Sequence, residues 1–125
     1  YKMDPNPYNK DNETNWVNWN ELKQNEDLVS FYIKLIKIRK ENASLRKKDY
    51  GIVEFIDFEN RHFLGFKVDE TMIAFINGDN KNHFTPTLPN GSWKTLISTD
   101  KIVNDMIYEG ELILEPTSGI LLRKI

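Results

Sequence analysis

The sequence predicts a mainly β fold, an antiparallel β-sandwich preceded by a loop and one long α-helix. Two observations lead there. Residues 26–42 hold the one sustained helical pattern, with apolar side chains recurring every three or four positions. After Gly51 the texture changes to short β-type runs broken by turn residues, as in sandwiches and barrels. A third observation sets the scale. The 125 residues are enough for a compact core, and 39% hydrophobic with 29% charged residues is a globular composition, not a disordered one.

Residues 1–24 read as loop, with at most one helical turn around Asn20–Lys23, since Pro5 and Pro7 bracket Asn6 and forbid regular structure there. The helix then starts near Asn25, whose side chain can accept from an orphan N–H of the first turn. Glu26 and Asp27 place negative charge at the positive end of its dipole, and Arg39 and Lys40 place positive charge near the other end. Leu28, Phe31, Tyr32, Leu35, Ile36 and Ile38, with Val29 and Ile33 beside them, make it apolar over more than half its circumference. An ordinary surface helix carries one stripe about 100° wide, so this one calls for neighbours on two sides. Asn42 is the expected stop, as a residue that tolerates the left-handed conformation.

The strands expected after Gly51 are Ile52–Phe58, His62–Val68, Thr71–Asn77, Phe84–Leu88, Trp93–Ser98, Glu111–Glu115 and Ile120–Ile125. Thr71–Asn77 is apolar on both faces and suits a central position. Asn90-Gly91 predicts a hairpin turn joining Phe84–Leu88 to Trp93–Ser98. The expected core is Phe66, Phe75, Ile76, Trp93, Leu114 and Leu121.

Composition excludes several functions. The net charge is −2 with no basic stripe, so neither nucleic acid nor an acidic membrane surface is an expected partner. Arg46-Lys47-Lys48 reads as a solvated helix end. Without cysteine there is no disulfide and no thiolate–metal site, and no run of about 18 apolar residues offers a membrane span. His62 and His83 lack a metal-type spacing, Gly78 and Gly91 precede no helix that could cradle phosphate, and no cofactor is expected. The chain opens on Tyr1, which suggests an excised domain or a processed product, with the compartment left open between cytoplasmic and secreted.

Among the acidic residues, Asp4, Asp11 and Glu13 lie closest together on a loop with aromatic rings. Carboxylates on such a loop also serve as turn formers and caps. Tyr8, Trp16 and Trp19 sit in the same polar loop, where rings can stack on sugar faces or pack into a core.

This loop and the helix after it resemble the end of the catalytic barrel in the alpha-amylase superfamily, glycoside hydrolase family 13. The likeness is closest to pullulanases and glycogen debranching enzymes. It is carried by Tyr8-Asn9, Asp11-Asn12-Glu13, Trp16 and Asn18-Trp19 in the loop, with Asn18 standing where the family usually has Asp. In the helix it is carried by Asp27-Leu28, Phe31-Tyr32, Leu35-Ile36, Ile38-Arg39-Lys40-Glu41 and Leu45-Arg46. Further on, Ile76-Asn77-Gly78, Leu88-Pro89-Asn90-Gly91-Ser92-Trp93 and Leu114-Glu115-Pro116-Thr117-Ser118-Gly119-Ile120 are similar to the family's C-terminal β-sandwich.

The resemblance implies residues 1–50 as the end of a (β/α)8 barrel and 51–125 as the sandwich domain. A whole barrel takes about 250 residues, so the resemblance implies that the catalytic carboxylates lie upstream and none is in this chain. It makes Asp4, Tyr8, Asn9 and Trp16 the candidate substrate contacts. Starch, glycogen or pullulan is the implied substrate of the parent enzyme, and the upstream barrel the implied partner. Two functions fit: a structural C-terminal domain of an α-glucan hydrolase, or a self-standing starch- or glycogen-binding module.

Overall fold

The computed structural model describes residues 5, 7–47, 50–99 and 105–125. It divides into two compact units, Tyr1–Ile33 and Lys34–Ile125. In the first, two short 3-10 helices, Pro7–Asn9 and Trp19–Leu22, are joined by turns. The Asn15 N–H donates to the Asn12 carbonyl (2.9 Å), and the Asn18 side chain caps the second 3-10 helix by accepting from the Asn20 N–H (3.2 Å).

One α-helix follows, α1 (Glu26–Glu41). Asn25 does not cap it through its side chain as expected. Its Nδ2 donates backwards to the Glu21 carbonyl (3.0 Å), and its own carbonyl accepts from the Val29 N–H (3.0 Å). At the other end Asn42 is extended (φ −110°), not left-handed. It ends the helix by spending both its backbone N–H and its Nδ2 on the Ile38 carbonyl, at 3.1 and 2.7 Å. Ile38 is the buried residue of α1, while Leu28, Tyr32, Ile33 and Ile36 are each more than half exposed.

The second unit is built on one six-stranded antiparallel sheet. Its strands are β1 (Val53–Ile56), β2 (Phe63–Val68), β3 (Met72–Asn77), β4 (Trp93–Ser98), β5 (Ile107–Tyr108) and β6 (Ser118–Lys124). They lie in the order β1-β2-β3-β6-β4-β5. The first three form a meander, with Gly65 opposite Phe75 across β2 and β3. The doubly apolar strand β3 is internal, as its pattern predicts, and β6 lies beside it with Phe75 opposite Ile120. Strand β5 was not legible in advance, being only two residues long.

The expected hairpin across Asn90-Gly91 does not form. Phe84–Leu88 leaves the sheet and pairs instead with the segment before β6, by bridges Phe84–Leu114 and Thr87–Glu111. Two features favour the crossing. Pro86 and Pro89 have no N–H for a ladder, and the alternate residues Phe84 and Leu88 form an apolar edge that covers the sheet. The result is the second, shorter layer of a sandwich. The core between the layers joins Ile73, Phe75, Trp93, Ile120 and Leu122 from the sheet to Phe84, Leu88, Leu112 and Leu114 from the covering pair. Gly65 is required where β2 passes beneath two rings, because a Cβ there would stand 2.8 Å from Phe58 and 3.0 Å from Phe75.

Of the expected core, Phe75, Trp93 and Leu114 are buried. Phe66 and Leu121 are half-buried on the sheet's other face, and Ile76 is 43% exposed there. The alternation of β3 explains it. Ile73 and Phe75 point into the sandwich, so Ile76 must point away.

Candidate functional site

The site residues expected from sequence lie in the first unit, except that Asp4 falls outside the described residues. Tyr8 and Asn9 belong to the 3-10 helix Pro7–Asn9, and both side chains are exposed, Tyr8 at 83%. Trp16 is 53% exposed, and its indole N–H donates to Asp11 Oδ1 at 2.5 Å. That bond gives Asp11 a local structural role and orients the ring, as the polar handle of a Trp commonly does. Trp19, the first residue of the next 3-10 helix, is more exposed still at 70%. Asn18, the departure from the family pattern, caps that helix and also donates from Nδ2 to Glu21 (3.3 Å). The loop therefore offers three accessible rings among amide and carboxylate groups. Such a surface can stack on the apolar faces of sugars and hydrogen-bond their hydroxyls.

In the second unit a cavity of about 260 Å3 is lined by Gly51, Ile52, Glu54, Lys67, Asp69 and Glu70. Three of its charged side chains, Glu54, Lys67 and Asp69, stand in ion pairs. Lys67 Nζ lies 2.8 Å from Glu54, and Lys47 Nζ lies 3.2 Å from Asp69, which also accepts from the Ser44 hydroxyl at 3.3 Å. The Lys47 hydrogen bond, helped by the Glu70 N–H, holds the Asp69 carboxyl below its ordinary range. The same logic raises the Lys67 ammonium, through its bond to Glu54. Glu54 and Asp69 are thus each engaged by a lysine.

Among the described residues Asp79 shows the most perturbed carboxyl, lowered to about 2 by the Asn82 side chain and then by the backbone N–H groups of Lys81 and Asn82. It organises the turn after β3 and faces no cleft among those described. His83 pairs with Glu115 at 2.9 Å on the surface. Among the described residues no three His, Cys, Asp or Glu side chains are grouped to hold a metal, and no helix is long and apolar enough to cross a membrane.

No family model matches the sequence. Alpha-amylase 2 of Dictyoglomus thermophilum is 31% identical over 109 residues, which is 87% of this chain and 17% of that protein. Among solved structures, pullulanase from Anoxybacillus sp. LM18-11 in complex with maltotetraose superposes with a TM-score of 0.71 at 19% identity, over 90% of this chain and 17% of that one. Trehalulose synthase MutB superposes with a TM-score of 0.65 at 22% identity, over 88% of this chain and 20% of that one. The chain thus spans about one-sixth of the length of the curated relative it matches. In sequence the chain is thus similar to an alpha-amylase, and in fold to the C-terminal region of enzymes of the alpha-amylase family.

Proposed function

We propose that this chain serves as the structural C-terminal domain of an α-glucan-hydrolysing enzyme of pullulanase, glycogen-debranching or alpha-amylase type. The observation that carries the reading is the match to alpha-amylase 2, which takes in nearly this whole chain and only 17% of the amylase. Residues 1–50 would then close a catalytic barrel and 51–125 form the sandwich beside it. The helix supports this, since Leu28, Tyr32 and Ile33 are exposed aliphatic and aromatic side chains suited to an apolar neighbour. Catalytic carboxylates would come from the barrel, while Tyr8, Asn9 and Trp16 would contribute loop contacts to the glucan, as would Asp4. The purified chain is expected to release no reducing sugar from pullulan or glycogen. Release that follows the chain through successive purification steps would overturn the reading.

A second reading is favoured by the exposure of Tyr8, Trp16 and Trp19, which gives the chain the rings a sugar-binding module needs. Titrating the chain with maltotetraose while following Trp fluorescence separates the two. Saturable quenching lost in Trp19→Ala selects the binding module, and an unchanged spectrum selects the structural domain.

A further inference from the structure

The sequence contains two Asn-Gly pairs, Asn77-Gly78 and Asn90-Gly91, and the structure treats them in opposite ways. Asn77 is 1% exposed. Its Nδ2 donates to the carbonyls of Asn82 (2.9 Å), Glu115 (3.0 Å) and Leu114 (3.3 Å), and its Oδ1 accepts from the Asp79 N–H (2.9 Å). The Gly78 N–H is engaged too, donating to the His62 carbonyl at 2.8 Å. Neither the amide carbon nor the following nitrogen can move without breaking several bonds.

Asn90 and Gly91 are both exposed, in the turn that leads from the covering layer into β4. Among the described residues nothing hydrogen-bonds the Asn90 side chain or the Gly91 N–H. Gly91 holds φ +119° and has no Cβ to obstruct approach to its nitrogen. The Lys124 side chain lies alongside, its Nζ 3.8 Å from where a Gly91 Cβ would stand. A cation so placed favours the deprotonated amide that must attack.

We propose that Asn90 is a self-modification site, converting to aspartate and isoaspartate while Asn77 is held intact. The Gly91 nitrogen gives its proton to a solvent base and bonds to Asn90 Cγ. The Cγ–Nδ2 bond breaks and ammonia leaves with a proton returned by solvent, closing a five-membered imide. Water then opens the ring. Cleavage at Cγ leaves aspartate, and cleavage at the backbone carbonyl leaves isoaspartate, whose main chain runs through Cβ. One water is consumed and one ammonia released, with no redox change. The product is a free α-carboxylate, the group that an S-adenosylmethionine-dependent isoaspartyl methyltransferase recognises.

The test is to hold the folded chain at mildly alkaline pH, map its peptides by mass spectrometry, and label isoaspartate with such a methyltransferase. Asn90 is expected to convert at least about tenfold faster than Asn77, which must wait for local opening. Asn90→Gln should remove the label from the peptide containing residue 90, and the chain unfolded in urea should react at both pairs. An intact Asn90 in the folded chain while both pairs react in urea, or equal rates at the two pairs when folded, overturns the proposal.

Discussion

Phe84 lies flat on Phe63, with ring centroids 4.1 Å apart and planes 14° from parallel. Phe63 opens β2 and Phe84 belongs to the covering pair, so this stack joins the two layers of the sandwich. Phe58 meets Phe84 edge-on at 4.9 Å, and Phe75 meets it at 6.1 Å. Phe75, which has no exposed surface, is expected to cost about 3–5 kcal/mol on truncation to Ala. Chemical denaturation monitored by circular dichroism would measure it, and an unchanged midpoint would show that the cluster is not the core.

Gly65 faces the same rings. Adding one methyl as Gly65→Ala drives a Cβ to 2.8 Å from Phe58, and the overpacking is expected to cost about 1–3 kcal/mol. Pairing it with Phe58→Leu should return part of that loss in a double-mutant cycle. Strictly additive effects would count against the clash.

Thr95 carries a buried hydroxyl with no hydrogen-bond partner among the described residues. Thr95→Val keeps the shape and removes the unsatisfied oxygen, so a gain of about 1 kcal/mol is expected. A lowered melting temperature would mean that the hydroxyl finds a partner in solution.

Asp79 makes stability depend on acid. Its folded value of about 2 lies below 3.8, the ordinary value expected on unfolding, so the folded state binds the proton more weakly. The stabilisation is complete above about pH 4 and is lost as pH falls towards about 2. Asp79→Ala should flatten the stability profile across that window. A variant whose acid limb has the same slope as the parent would contradict the assignment.

The strands whose apolar residues alternate or run continuously were legible because side-chain period alone decides them. β3 and β4 are the clearest instances, and the helix Glu26–Glu41 was equally plain from its spacing and end charges. Asn90-Gly91 misled, because the local turn signal is indifferent to which partner the preceding segment takes. That choice rests on the remote pairing of Phe84 with Leu114. Ile76 misled as a doubly apolar strand hides which of its faces the second layer covers. For the loop, sequence named Tyr8, Asn9 and Trp16 from motif alone. The hydrogen bond that binds Trp16 to Asp11 depends on a five-residue turn no periodicity reports.

Strand order has a consequence for how the chain is made. β6 is the last strand in sequence, yet it sits between β3 and β4, and β4 reaches the meander only through it. During synthesis β1, β2 and β3 can pair as soon as they emerge, since their contacts are local. β4 and β5 must wait beside them without a shared edge until Ser118–Lys124 has been translated. For that interval β3 exposes a row of unpaired backbone groups flanked by Ile73 and Phe75, the kind of edge on which nascent chains aggregate. A ribosome stalled before Ser118 would therefore hold a chain whose β3 edge still lacks its β6 partner.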